Sequence, residues 1–285
     1  MRRLTAVVLA IVMLLSLCAC GAAKEETKPA ADDTSTQPAA ETKVLRIGME
    51  CAYAPNNWQE SAATDTNLPI ENVAGGYAEG YDVQIAKRIC AQIGAEPVIV
   101  MLAWDGLIEA LNQGQIDMII AGMADTAERR QAINFSDPYH VTEYGVMVNG
   151  GSAYEGAQSI NDFAGASVLG QKDTQLDTVI DQMAGVEHLT PVSSVPNMIS
   201  RLQEGTCDAL VINVENSGSY LAANPDFVVI RFAEGKGFDL GFVGACVGLR
   251  LEDTELLSDV NTALGNIDQA ARDELWNTAV ENQPK

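Results

Sequence analysis

Several things are scarce in this chain of 285 residues, and each scarcity excludes something. Histidine occurs twice, at His140 and His188, and no two cysteines form a CxxC pair. A metal site is therefore not expected. Cations are few: 17 Lys and Arg stand against 39 Asp and Glu, a net charge of −22. That balance argues against binding nucleic acid and against a surface patch that holds anionic lipid. After residue 20 no apolar run approaches the length needed to span a bilayer.

The exception comes first. Arg2 and Arg3 precede an apolar run over residues 4–17, too short for a comfortable permanent span, which reads as an export signal over 1–19. Leu17-Cys18-Ala19-Cys20 resembles a bacterial lipoprotein cleavage box, which makes Cys20 the lipidated first residue of the mature chain. The alternative is an ordinary signal peptide with an incidental cysteine. Removing 1–19 takes away two arginines and no acid, so the mature chain is more acidic still. After Cys20, residues 21–43 hold, apart from proline, no apolar side chain larger than alanine, and the tether is taken as 20–43. Such a segment cannot offset its ordering entropy by burial and is expected to be an extended tether.

Four cysteines remain beyond it: Cys51, Cys90, Cys207 and Cys246. Cys90 shares a helical face with Val83, Ala86 and Ile93, which reads as core packing. A disulfide among the four is left open by spacing alone.

From residue 44 the pattern alternates. Residues 44–49 read as a buried strand, and 56–80 as polar and broken, without regular structure. Helical spacing follows over 81–93 and 105–112, strand patterning over 97–102 and 116–121. The last is apolar throughout, as in a sheet covered on both faces. Asp125 or Thr126 can cap a short helix containing Glu128 and Arg129. A second alternation runs through strands at 167–170, 188–192, 208–212 and 227–232, with helices at 174–183, 196–204 and 216–223. Two helices, 253–264 and 268–280, close the chain. Such repetition implies α/β architecture with parallel strands in two lobes. Extended stretches at 139–148 and 240–249 suit two crossings between lobes, forming a hinge beside a cleft; the alternative is that both belong to one continuous sheet.

Four segments in order, GYDVQIAKRI, WDGLIEALNQGQIDMIIAGM, ERRQAINFSDPY and CDALVI, resemble the polar amino-acid-binding proteins of ABC importers, bacterial solute-binding proteins of family 3. The resemblance covers residues 44–282. It implies a two-lobed type II periplasmic-binding-protein fold, two parallel or mixed sheets joined by two hinge crossings. Lobe 1 would comprise 44–140 and 242–285, and lobe 2 would comprise 141–241. It also implies an extracytoplasmic, lipid-anchored monomer without a cofactor, which binds a free amino acid and serves permease and ATPase subunits. On the same resemblance the protein is not an enzyme. The alternatives are a lyase or dehydratase on this fold, or a ligand-sensing accessory protein.

The resemblance also assigns a site. Arg129 matches the arginine that pairs with a ligand's α-carboxylate, a role that suits a planar guanidinium fork; the alternative is an ion pair with Glu128 or Asp125. Thr174 matches a hydroxyl at a helix start that meets the same carboxylate, and either it or Asp173 also suits a cap. The backbone of Gly122 matches a ligand contact. Ala124 stands where the family commonly has Ser or Thr. Asn213 stands where it usually has an aspartate accepting from the α-ammonium, with Glu215 as an alternative acceptor. Tyr53 and Trp104 match aromatics that sandwich the ligand side chain, although Trp104 also suits a core position. Glu50 matches an acid facing the side chain's distal end, which favours basic or amide-bearing ligands, although it also suits a solvated strand end. Trp58 is a weaker candidate.

Overall fold

The structure, a computed structural model, describes residues 42–240 and 244–284. Cys20, the export signal and nearly all of the tether fall outside them. Two five-stranded sheets organise the chain. The first places Lys43–Met49 between Ala95–Met101 and Met118–Ile119, parallel to both, and adds Gly244–Leu249 and Asn134–Val141 as antiparallel neighbours. In the second, Ser167–Leu169 runs parallel to Glu187–His188 and to Ala209–Asn213. Tyr144–Asn149 then pairs antiparallel with Ala209–Asn213 and with Phe227–Ile230. The α/β expectation holds, in its mixed form.

The alternation of side chains explains why the second sheet's strands read as unbroken apolar runs. Val146 and Val148 enter one hydrophobic cluster while Met147 enters another. Val168 and Leu169 divide in the same way, and so do Ala209 and Val211 from Leu210 and Ile212. Both faces are buried, so every position favours an apolar residue. In the first lobe the helix Tyr81–Ile93 buries Val83, Ala86 and Cys90 as its spacing predicts. Cys51, Cys90, Cys207 and Cys246 are all free and buried, so the disulfide left open by spacing does not form.

The single-sheet alternative for the crossings does not hold. Asn134–Val141 belongs to the first sheet and Tyr144–Asn149 to the second, with only Thr142 and Glu143 between them. Of the second crossing, Gly244–Leu249 lies in the first sheet, and residues 241–243 lie outside the described residues. The strand expected over 116–121 pairs only at Met118–Ile119, though Ile116 and Ile120 are buried beside it.

Residues 56–80 differ from expectation. Asn57–Glu60, Leu68–Pro69 and Tyr77–Glu79, with Ala52–Tyr53, make a four-stranded antiparallel sheet. Strands this short leave no readable period in a polar segment. The sheet is held instead by side chains turned inward. Trp58 is 3% exposed and packs in the first lobe's core, which removes it as a pocket candidate. Ile70 bridges to Ile99 at the edge of the first sheet. Gly80 ends the small sheet with φ 124° and ψ 178°, a region essentially reserved for glycine. A Cβ there would lie 2.4 Å from the Asn56 carbonyl oxygen. Gly80→Ala is expected to lower stability by about 3 kcal/mol, since backbone strain and steric overlap add. Urea unfolding measures it; a loss below about 1 kcal/mol would contradict the close approach.

Candidate functional site

The parallel strands of each sheet end at a common cavity between the lobes. From the first lobe come Glu50, just past Lys43–Met49, then Tyr53, Trp104 at the start of a short helix, Gly122 and Arg129. From the second come Tyr144, Gln171, Thr174 and Asn213. Thus seven of the eight expected site residues gather in one place. The space left between them is about 30 Å³, room for about one water. A free amino acid needs more room than this.

Arg129 opens a single 3-10 turn, Arg129–Gln131, and its N–H donates to Thr126 Oγ1 at 3.2 Å. Of the two residues expected to cap a helix here, Thr126 makes this bond, but the turn's own N-cap position is Glu128, which has no side-chain cap bond. The guanidinium spans the cleft: Nη1 donates to the Ala124 carbonyl at 2.7 Å and Nη2 to the Asp173 carbonyl at 2.8 Å. Its carbon lies 5.2 Å from the centre of the Trp104 ring, within cation–π range. Burial lowers its pKa, but an arginine remains charged. The ion pair with Asp125 goes instead to the neighbour, Arg130.

Across the cleft, Asp173 carries a left-handed backbone, φ 60°, a conformation that aspartate tolerates better than most residues. This turns its carbonyl toward Arg129 and toward Trp104 Nε1, 3.4 Å away. Thr174 is the N-cap of Gln175–Thr178: its hydroxyl accepts from Leu176 N at 3.1 Å and donates to the Gln171 carbonyl at 2.7 Å. The capping alternative is therefore realised.

Glu50 lines the cavity and is half-buried. Burial pushes its carboxyl up to about 7; a hydrogen bond from Gln171 opposes the shift and nearby Asp105 adds to it. Tyr53 is held by Asn213, whose Nδ2 donates to the tyrosine hydroxyl. Asn213 Oδ1 is buried and has no hydrogen-bond partner. Asn213 stands opposite Tyr144 in the antiparallel register, which puts both on the cavity side. Gly122 adopts φ +63°, and its N–H donates to Tyr139 Oη at 2.9 Å. Of its backbone polar groups, the amide is thus already occupied by protein.

Glu215 is a correction. Its Oε2 accepts from Thr142 Oγ1 at 2.6 Å and from Glu143 N at 3.0 Å, the two residues that link the sheets. It does not line the cavity, because the turn after Ala209–Asn213 carries its side chain toward the hinge.

The residues not found from sequence include Tyr144, Gln171 and a buried polar network. Asp82, fully buried, accepts from Asn57 Nδ2 at 2.8 Å, Tyr139 Oη at 2.8 Å and Asn56 Nδ2 at 3.4 Å. Asn56 Oδ1 in turn accepts from Asn216 Nδ2 of the second lobe at 2.5 Å. An acid in a helix's first turn ordinarily reads as a surface complement to the dipole. The available signal was its place directly after Gly80 and Tyr81.

A cleft between two α/β lobes, with a guanidinium and a carboxyl facing aromatic walls, defines a solute-binding protein. The sequence model of the bacterial extracellular solute-binding proteins, family 3, matches residues 45–276, and the chain belongs to that family. It is similar to a Campylobacter jejuni protein named "Probable histidine-binding protein", 29% identical over 235 residues, 80% of this chain and 81% of that one. It also resembles the arginine-binding extracellular protein of Bacillus subtilis, 25% identical over 204 residues, 69% of this chain and 75% of that one. Among solved structures, an amino-acid ABC transporter substrate-binding protein from Streptococcus pneumoniae bound to L-arginine shares the fold. Its TM-score is 0.71 at 22% identity, covering 83% of this chain and 94% of that one.

Proposed function

We propose that the protein captures a free polar amino acid, basic or amide-bearing, outside the cytoplasm and hands it to the permease and ATPase of an ABC importer. The observation that carries this is Arg129, half-buried, reaching from one lobe to a carbonyl of the other. A ligand carboxylate offers that fork two charge-assisted bonds in place of neutral carbonyls. Trp104 and Tyr53 wall the ligand's side chain and Glu50 reads its far end. Thr174 orders the turn that faces the carboxylate, and Asn213 and the Gly122 carbonyl face its nitrogen. Residues 43–141 with 244–284 form one lobe and 144–240 the other; Cys20 carries the lipid that holds the monomer to the membrane. Binding rather than turnover is supported by the family, whose model matches residues 45–276 and whose relatives carry the names of amino-acid-binding proteins.

A thermal-shift panel of the free amino acids and close derivatives tests the reading, since a ligand that binds only the native state raises the melting point. A carboxylate-bearing ligand recovered unchanged at one per chain supports it; no response across the panel, or turnover of the bound compound, overturns it.

Glu50 gives a pH signature. Its folded pKa, about 7, lies above that of an unfolded glutamate, so the native state binds the proton more tightly. Its contribution to stability therefore falls as pH rises from the ordinary carboxyl range through about 7. Pairing with a cationic side chain needs the ionised form. Affinity for a basic ligand is expected to be roughly tenfold weaker at pH 6 than at pH 8, with proton release on binding. A neutral amide ligand should lack that loss, and Glu50→Gln should abolish it; calorimetry in buffers of different ionisation enthalpy reads both.

A further inference from the structure

The charges that line the cavity are one of each sign. Arg129 is the cation and Glu50 the acid. Two other carboxylates approach, Asp105 and Asp173, but both share Lys172, at 3.3 Å and 3.4 Å, and both are exposed. A basic amino acid with a free α-amino group brings one carboxylate and two cations. With its carboxylate on Arg129 and its side chain on Glu50, the α-ammonium would be enclosed with neutral groups only.

The neutral groups are specific. Asn213 Nδ2 is taken by the Tyr53 hydroxyl, and Asn213 Oδ1 is left buried without a donor. Ala124 contributes no hydroxyl, and its carbonyl already accepts from Arg129. The Gly122 N–H is held by Tyr139. Among the side chains that line the cavity, Asn213 carries the one buried polar atom without a partner, and it matches a single neutral donor. A buried ammonium facing neutral acceptors keeps most of its desolvation cost, whereas an amide N–H needs a single acceptor.

From this charge count and the unpartnered Asn213 oxygen we propose that the preferred ligand is a basic amino acid acylated on its α-nitrogen, which donates its one N–H to Asn213 Oδ1. The proposal rests on the carboxylate reading of Arg129 and narrows its substrate class. Such a ligand carries one carboxylate and one cation, so the enclosed charges close to zero: carboxylate on Arg129, guanidinium or ammonium on Glu50. The acyl group, like the rest of the ligand, needs more room than the cavity between the lobes now holds.

The test is titration calorimetry of the full chain with three probes: Nα-acetyl-L-arginine, L-arginine, and arginine lacking its α-amino group. The acetylated ligand is expected to bind at least about tenfold more tightly than L-arginine. The des-amino compound, which leaves Asn213 Oδ1 unpartnered but brings no second cation, should fall between them. Asn213→Asp supplies the missing charge and should invert the order of the first two. If that variant does not fold, as judged by its melting transition, the order on the unaltered protein decides alone. L-arginine binding as tightly as the acetylated form, or tighter, overturns the proposal. So does the absence of binding by all three. In that case another carboxylate from the amino-acid panel that binds, and is lost in Arg129→Ala, leaves the Arg129 reading standing without this narrowing.

Discussion

Replacing Arg129 with alanine is expected to weaken ligand binding more than a hundredfold while leaving the fold in place. Its two Nη atoms sit 2.7 Å and 2.8 Å from carbonyl oxygens, so the fork is held in a fixed plane across the cleft. Each hydrogen bond to a charged partner contributes roughly 1.5–3 kcal/mol. Losing a bidentate pair therefore removes about 3–6 kcal/mol, or roughly two to four powers of ten in affinity. Arg129→Lys should recover little, because an ammonium presents a point charge where a planar fork is needed. The fold survives because the bonds lost are to the carbonyls of Ala124 and Asp173, which lie at a half-exposed site that water can reach. Calorimetry measures the first effect and thermal melting the second. Retained affinity would sink the assignment of Arg129; a collapse in melting temperature would mean that it holds the lobes rather than the ligand.

Asp82→Ala should be the most damaging change to stability, about 3–5 kcal/mol or roughly 10 °C in melting temperature for a chain of this size. Burial raises its carboxyl pKa, while hydrogen bonds from Asn57, Tyr139 and Asn56 pull it down. Alanine would leave all three donors facing a cavity, and an unsatisfied buried donor costs its full desolvation. The damage should also reach the cleft. Tyr139 holds the Gly122 amide, and Asn56 holds Asn216 of the opposite lobe. Ligand affinity should therefore fall although Asp82 touches no ligand. Asp82→Asn keeps the shape but turns an amide N–H toward donors, and should lose more than half of the same stability. Urea unfolding with an unchanged m-value is the measurement. A loss under about 1 kcal/mol would mean that the network is replaceable by solvent.

Much of the first lobe was legible because its signals are local. The helix Tyr81–Ile93 has the same bounds in spacing and in structure, since a 3.6-residue period over thirteen positions leaves little freedom. The small antiparallel sheet over 52–79 was not legible. Its strands are two to four residues long, and two residues carry no period. Glu215 illustrates a different limit. Two positions after Asn213, its direction depends on a 3-10 turn, Val214–Ser217, which aims it at Thr142 and Glu143.

By itself the sequence determined the family, the two α/β repeats, and the guanidinium and aromatics of the pocket. Each is written in neighbouring residues, as periodicity or as a motif whose chemistry few other side chains perform. Only the tertiary structure decided which way the polar groups face. Asn213 meets Tyr53, and Asn216 meets Asn56, each from 160 positions away; Arg129 meets Asp173 from 44. A hydrogen bond is directional and satisfied within about 3 Å, so the partner that chain folding brings near decides whether an amide oxygen is already occupied or open to a ligand.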